Sequence, residues 1–181
     1  MPRAALVEHL KFKALRTDGP FTLRSGTVSD WYLDGRQVTF DGEGAWRVGR
    51  AFADQLDPTV EAVGGMTMGA DPIAVATAMV SSANGRPIQA FSVRKEAKVH
   101  GTGERLVGPV EAGAKVALVE DATTTGSATK EAADAILEAG LEIVQIIVMV
   151  DRSNGRAEEN LAHLGVPFVA LVTPADLGVK T

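Results

Sequence analysis

Two adjacent carboxylates followed by a hydroxyl-rich turn are the residues of this sequence best placed to do chemistry. Residues 116–126 read VALVEDATTTG, an apolar run, then Glu120 and Asp121, then three threonines and a glycine. The pattern predicts a buried strand that ends near the acids, followed by a helix from residue 127. Carboxylates accept hydrogen bonds from sugar hydroxyls, while threonine hydroxyls and the free N–H groups of a helix N-terminus bind phosphate. The turn therefore offers sites for both ends of a ribose 5-phosphate.

A polar turn that only caps a helix is the simpler interpretation for one acid and one threonine. Two acids, three consecutive threonines and a glycine favour a ligand site instead. The sequence contains neither GxxxxGK[ST] nor GxGxxG after a strand. A P-loop is therefore excluded, and a Rossmann dinucleotide site is disfavoured.

A second group of reactive side chains lies in residues 94–103, which read RKEAKVHGTG. Arg94, Lys95, Lys98 and His100 are concentrated there in a chain whose net charge is −5. Residues 95–114 show no regular period, and residues 95–108 have few apolar anchors. Long loops of this kind are often functional lids, and cations stabilise a leaving group as its negative charge develops. The simpler interpretation is a solvated charged loop.

Alternating strand-like and helix-like segments from about residue 59 must position these side chains. Apolar runs such as VALV and IVQIIVMV are typical of parallel strands that are buried on both faces. The sequence therefore predicts an α/β fold with a mostly parallel central sheet flanked by helices. Asp71 is the expected cap of the first of these helices. The helices are expected at residues 71–82, 127–139 and 157–164, and the strands at 60–64, 88–93, 115–119, 142–150 and 168–172.

The first part of the chain has a different pattern. It offers one amphipathic helix and then short segments, FTLRSG and DWYLDGRQVTF. These cannot bury a core alone, so we expect residues 1–43 to form a small N-terminal cap on a core domain of residues 44–181.

The composition narrows the class of protein. Hydrophobic residues make up 45% and charged residues 23% of 181 residues, which suits a single α/β domain. The lack of cysteine excludes disulfides and thiolate metal sites and fits a reducing cytoplasm. No secretory signal or membrane segment is expected, and the negative charge disfavours nucleic-acid binding. His9, His100 and His163 are isolated, so no dedicated metal site is predicted.

Several of these segments resemble one enzyme family. VEDATTTGSAT resembles the signature with which type I phosphoribosyltransferases bind 5-phosphoribosyl 1-diphosphate (PRPP). RKEAKVHG resembles the catalytic loop of orotate phosphoribosyltransferases, and FTLRSG with Trp31 and Tyr32 resembles their opening motif. The resemblance covers nearly the whole chain. It implies the type I fold and transfer of ribose 5-phosphate from PRPP to orotate in pyrimidine biosynthesis.

The resemblance also implies residue roles. The paired acids would hold the ribose hydroxyls, and the turn would wrap the 5′-phosphate. Lys98, His100 and Asp121 would be catalytic, with Lys98 foremost. Orotate would contact Thr124, Arg152, Trp31 and Tyr32. The PRPP-binding set would be Arg94, Lys95, Lys98, His100, Glu120, Asp121, Ala122, Thr123, Thr124, Thr125, Gly126, Ser127 and Ala128.

The family resemblance further implies Mg²⁺ held mainly through the substrate, and a homodimer whose basic loop reaches the neighbouring active site. Two positions depart from the family pattern. Arg24 stands where many relatives have lysine, and Gly69 in GGMTMGADP stands at about the place of another lysine. Backbone N–H groups of residues 64–70 are the expected substitute for that second lysine.

Two other functions stay open from the sequence. One is a purine phosphoribosyltransferase, against which RKEAKVHG and Arg152 argue. The other is a regulator of the same fold that binds nucleotide or RNA without catalysis. Lys98, His100 and the acidic net charge argue against it.

Overall fold

The computed structural model describes residues 2–22, 28–96 and 105–180. The site residues Arg24, Lys98 and His100 lie outside the described residues. The helices are α1 (Pro2–Lys13), α2 (Arg36–Thr39), α3 (Gly42–Ala53), α4 (Ala70–Ala83), α5 (Ser127–Glu138), α6 (Arg156–Leu161) and α7 (Pro174–Leu177). The strands are β1 (Leu15–Arg16), β2 (Phe21–Thr22), β3 (Val28–Ser29), β4 (Tyr32–Leu33), β5 (Ala62–Met66), β6 (Gln89–Val93), β7 (Leu106–Val107), β8 (Lys115–Thr123), β9 (Glu142–Asp151) and β10 (Phe168–Val172).

A six-stranded sheet in the order β10-β9-β8-β5-β6-β7 forms the centre of the molecule. Its strands pair in parallel except for β7, which is antiparallel to β6. The prediction of a mostly parallel central sheet flanked by helices is confirmed. Two small two-stranded sheets, β1 with β4 and β2 with β3, precede it along the chain.

The sheet is covered on both faces, which explains why its strands are apolar rather than alternating. On one face, residues such as Leu10, Phe52 and Ile73 from α1, α3 and α4 share a core with the sheet. On the other face, Ile136 of α5 and Leu161 of α6 pack on the strands. Burial of each large apolar side chain is worth about 1.5–3 kcal/mol relative to exposure. This packing fixes the strand ends that carry the candidate site.

Strand β8 is longer than predicted. It was expected to end at residue 119 but continues to Thr123, and Glu120 pairs with Val148 of β9. Polar side chains do not end a strand while its backbone still has a partner to pair with. The two acids therefore lie inside the strand, near its C-terminal end, rather than beyond it.

The expected cap of α4 was wrong. Gly69 occupies the cap position and α4 begins at Ala70, so Asp71 lies inside the first turn. There Oδ2 of Asp71 accepts a hydrogen bond from the hydroxyl of Thr67, at 2.6 Å. The carboxylate thus ties the loop before the helix to its first turn instead of capping it.

The basic segment, residues 94–108, is better anchored at its C-terminal end than its sequence suggested. β7 pairs with β6 through Ser92 and Val107, and Gly108 lies against Phe91 so closely that a Cβ atom there would be 2.9 Å from the Cα of Phe91. The expectation that little ties residues 95–108 to the core is therefore wrong at their C-terminal end.

Candidate active site

The candidate site lies at the carboxyl ends of four parallel strands, where open α/β sheets bind ligands. β5 leads into the loop before α4, β6 into Arg94 and Lys95, β8 into the threonine turn, and β9 into Arg152. The backbone N–H of Arg152 donates to the carbonyl of Thr123 at 2.8 Å. The ends of β8 and β9 are therefore joined directly beside the turn.

The threonine turn is fixed by hydrogen bonds on its buried side and is exposed on its other side. The buried hydroxyl of Thr123 accepts a hydrogen bond from the N–H of Gly126 at 3.0 Å. The side-chain amide of Asn160 in α6 donates to the carbonyl of Thr125 at 2.9 Å. Thr124, Thr125, Ser127 and Ala128 are exposed at the N-terminus of α5. Hydroxyls and helix N–H groups can therefore meet a phosphate there.

Glu120 is a buried acid, with 6% of its surface exposed. Burial, and then the neighbouring charge of Asp121, raise the pKa of Glu120 to about 8. Its Oε2 atom has no hydrogen-bond partner among the described residues. Such an atom is a ready acceptor or donor for a ligand hydroxyl.

Asp121 lies against the loop that departs from the family pattern. A Cβ atom at Gly69 would lie 2.7 Å from Oδ1 of Asp121 and 2.8 Å from its Cγ. A lysine at this position would therefore displace the carboxylate. Sequence reasoning noticed that Gly69 lacks a charge but missed that its lack of a side chain makes room for Asp121.

Arg152 and Trp31, which are far apart in the sequence, are brought together. The guanidinium carbon of Arg152 lies 4.3 Å from the centroid of the Trp31 ring, a cation–π distance. Burial lowers the pKa of Arg152 from its ordinary value, and its Nε has no partner among the described residues. The ring of Tyr32 packs on Phe21, with centroids 5.9 Å apart. These side chains form a cationic, aromatic-walled site beside the turn.

Two arginines near the site were not predicted from the sequence. Arg36 pairs with Asp34 at 2.8 Å; this pairing raises the pKa of Arg36, and the charge of Asp121 adds to the shift. Arg105 donates to the carbonyl of Arg94 at 2.9 Å and to Glu131 of α5 at 2.6 Å. Arg105 thus fastens the base of the basic segment to the helix that follows the threonine turn.

Comparison with known proteins agrees with this geometry, although no family model matches the chain. The orotate phosphoribosyltransferase of Streptomyces avermitilis is 44% identical over 178 residues, which cover 98% of this chain and 97% of that protein. The crystal structure of the Mycobacterium tuberculosis H37Rv orotate phosphoribosyltransferase with Fe(III) dicitrate is 37% identical, with a TM-score of 0.84 over 99% of this chain and 100% of that one. The same enzyme in complex with PRPP is 33% identical, with a TM-score of 0.81 over 99% and 100% of the two chains.

The parallel sheet with paired acids and a threonine turn at its carboxyl edge is the arrangement of a type I phosphoribosyltransferase. Together with these relatives, it shows that the chain belongs to the orotate phosphoribosyltransferase family. Its activity is the PRPP-dependent transfer of a pentosyl group to orotate in pyrimidine synthesis. The predicted family and function are confirmed. None of the helices among the described residues is both long and apolar enough to cross a membrane.

Proposed function

We propose that Glu120, Asp121 and the threonine turn bind the two ends of the ribose phosphate of PRPP. The acids accept hydrogen bonds from the 2′- and 3′-hydroxyls, for which the unpartnered Oε2 of Glu120 is the clearest support. Backbone and side chains of residues 122–128 wrap the 5′-phosphate. Relative to this anchor, the anomeric carbon and the diphosphate point away from the turn, toward the basic segment.

Arg152 is proposed to grip the carboxylate of orotate, with Thr124 as a second contact and Trp31 and Tyr32 beside the ring. The observation that carries this assignment is the stacked guanidinium at the end of β9, 4.3 Å from the Trp31 centroid. A guanidinium fork matches a carboxylate through two parallel hydrogen bonds. The ring nitrogen of orotate, with its proton released, then forms a bond to the anomeric carbon as the bond from that carbon to diphosphate breaks.

The basic segment is proposed to stabilise the departing diphosphate. Arg94 and Lys95 lie at the end of β6 beside the site, and Lys98 and His100, outside the described residues, complete the set. We assign Lys98, His100 and Asp121 to catalysis and Arg24 to a supporting contact. No covalent intermediate is needed, since positioning and charge stabilisation suffice for an oxocarbenium-like transition state.

Mg²⁺ is the proposed cofactor. Glu120 and Asp121 are the neighbouring carboxylates that could contribute ligands to the ion. By the family resemblance the ion would be held mainly by substrate oxygens, as is usual for Mg²⁺ with phosphates. When bound, it would neutralise diphosphate charge. We also propose a cytoplasmic homodimer with shared active sites, without nucleic-acid or membrane partners, in which residues 1–43 act as the cap of the base site over the core of residues 44–181.

The test of the base site compares orotate with uracil, adenine and hypoxanthine, with PRPP and Mg²⁺ present and diphosphate release as the signal. Wild-type protein should turn over orotate alone, because uracil lacks the carboxylate that Arg152 grips. Arg152→Ala should lower kcat/KM for orotate by roughly ten- to a hundredfold, equivalent to about 1.5–3 kcal/mol. The KM for PRPP should hardly change. Uracil turnover comparable to orotate, or unchanged orotate kinetics in the variant, would overturn the assignment of Arg152.

A further inference from the structure

Trp31, which lies between β3 and β4, is held by a contact with a residue far away in the sequence. The indole N–H of Trp31 donates to the backbone carbonyl of Lys180, at 2.8 Å and across 149 positions of sequence. Trp31 is 9% exposed, so this N–H would otherwise be buried without a partner. A buried indole needs such an acceptor, and the bond therefore sets the rotation of the ring.

The ring so fixed is the surface on which Arg152 rests. The guanidinium carbon lies 4.3 Å from the ring centroid, so one face of the guanidinium is covered by the indole. Nε of Arg152 is buried and has no hydrogen-bond partner among the described residues, so its N–H is a donor without an acceptor in the folded chain. A planar fork held by stacking keeps its bidentate edge pre-oriented, which a flexible arginine would not.

The segment that supplies the carbonyl is itself anchored. Thr173 and Asp176 form a capping box at the start of α7, and Asp176 pairs with Arg3 of α1 at 2.7 Å. Leu177 is buried in the core. Gly178 then turns the chain with a φ of +77°. Lys180 is therefore held at a defined place rather than trailing past the helix.

We infer that residues 178–180 orient Arg152 through Trp31, which makes Trp31 a positioning residue for recognition of the orotate carboxylate. The inference deepens the proposed base site and rests on the role of Arg152 given there. Besides lying beside the orotate ring, Trp31 acts through the guanidinium that it supports, so most of its contribution should disappear when that guanidinium is removed. If Trp31 only packed on orotate, or only filled the core, its contribution would persist without the guanidinium.

Two substitutions at Trp31 separate the contribution of its N–H group from that of its ring. Trp31→Phe keeps a ring under Arg152 but loses the N–H donor, and should raise the orotate KM by roughly two- to tenfold. Trp31→Leu loses the stacking as well, and should raise it by about three- to thirtyfold. In both variants the KM for orotate should change much more than the KM for PRPP. Thermal melts establish that each variant is folded.

A double-mutant cycle with Arg152→Ala gives the sharpest measurement. Trp31→Leu should change the orotate KM far less in the Arg152→Ala protein than in the wild type, because interacting residues are not additive. If the two effects simply add, Trp31 acts independently of Arg152 and the inference is overturned. If Arg152→Ala alone leaves orotate kinetics unchanged, the proposed base site fails first, and the two failures are thereby distinguished.

Gly178→Ala tests the segment without touching the site. A side chain at a positive φ strains the backbone and should shift residues 178–180, so the orotate KM should rise while the PRPP KM holds. Gly165→Ala is the matched control: Gly165 also has a positive φ, +67°, with nothing within 4 Å of an added Cβ, and it lies before β10, away from the site. Equal kinetics in the two variants would overturn the role of residues 178–180.

Discussion

Glu120 is held in an environment that disfavours its charge. The side chain is buried, its Oε2 atom has no partner among the described residues, and Asp121 is adjacent. A carboxyl group in this setting carries a proton until a ligand or higher pH removes it. The site therefore stores an unfavourable interaction in the folded chain, as is common where a residue is placed for binding rather than for stability.

This burial predicts a pH dependence of stability. The pKa of Glu120 is about 8 when folded against an ordinary value of 4.5, so between these values the folded chain keeps a proton that the unfolded chain has lost. The stabilising contribution is complete below about pH 4.5 and is lost as the pH rises through about 8. Glu120→Gln should remove that dependence. Its melting temperature relative to wild type should therefore be higher at pH 8 than at pH 5.

Glu138→Gln is the control for this measurement, since Glu138 is exposed at the end of α5. The melting temperature of this variant should change with pH in parallel with that of the wild type. A Glu120→Gln curve that also runs parallel to wild type would mean that Glu120 is ionised in the folded protein at neutral pH.

Gly69 leaves room for the carboxylate of Asp121, so a side chain at this position should disturb PRPP binding. Because a Cβ atom would lie 2.7 Å from Oδ1 of Asp121, Gly69→Ala should displace the carboxylate and raise the PRPP KM with little change in melting temperature. Gly69→Lys, which brings back the family's charge, should impair PRPP binding too. Gly42→Ala, with nothing within 4 Å of the added atom, is the matched control. PRPP kinetics that are normal in both Gly69 variants would contradict the packing argument.

The sequence could predict which residues lie at the carboxyl ends of strands, because apolar runs followed by polar turns mark those ends. It could not predict that Trp31 stacks on Arg152, or that Lys180 holds the indole. These contacts join segments about 120 and 149 residues apart, and no local pattern encodes them. The family resemblance supplied the base-site assignment, but not the contact between those two residues.

Among the helices and strands, the strongly apolar segments were predicted well, and the residues at which elements begin and end were predicted less well. β9 and β10 were placed within a residue, since burial on both faces leaves a continuous apolar run. β8 was cut short because Glu120 and Asp121 look like the end of a strand, yet backbone pairing with β9 continues to Thr123. β7 was not predicted, because a strand of two residues is too short to show a hydrophobic period.

The ion pair between Arg105 and Glu131 should help to hold the basic segment in position. This half-exposed pair joins the base of the basic segment to α5, at 2.6 Å. Glu131→Gln should lower kcat/KM for PRPP by about two- to fivefold, the kinetic equivalent of a surface ion pair, because the segment loses its fixed position. Asp134→Asn, which breaks the Lys130 pair on the same helix, should have no kinetic effect. Identical kinetics for the two variants would show that the link to Arg105 does not position the segment.

The site is assembled on one edge of one sheet from parts of the chain that are distant in the sequence. Residues of α1, α3 and α4 share a core with Trp31 and Leu33, so the N-terminal segment is packed on the sheet that carries the acids. The base site thus depends on this docking. The C-terminal end of the basic segment is held by β7 and by Arg105. Lys98 lies outside the described residues.

The proposed homodimer can be tested by complementation between two inactive variants. If Lys98 of one subunit serves the acids of the other, Lys98→Ala and Asp121→Asn chains, each inactive alone, should complement each other when co-refolded. About half of the dimers should be hybrids by random pairing of symmetric subunits. Each hybrid holds one site with an intact loop and intact acids, and one site with neither. Activity should therefore return to a fraction of wild type, measured as diphosphate release, with hybrids quantified through two affinity tags. Hybrids that form but stay as inactive as their parents would place Lys98 in the active site of its own subunit.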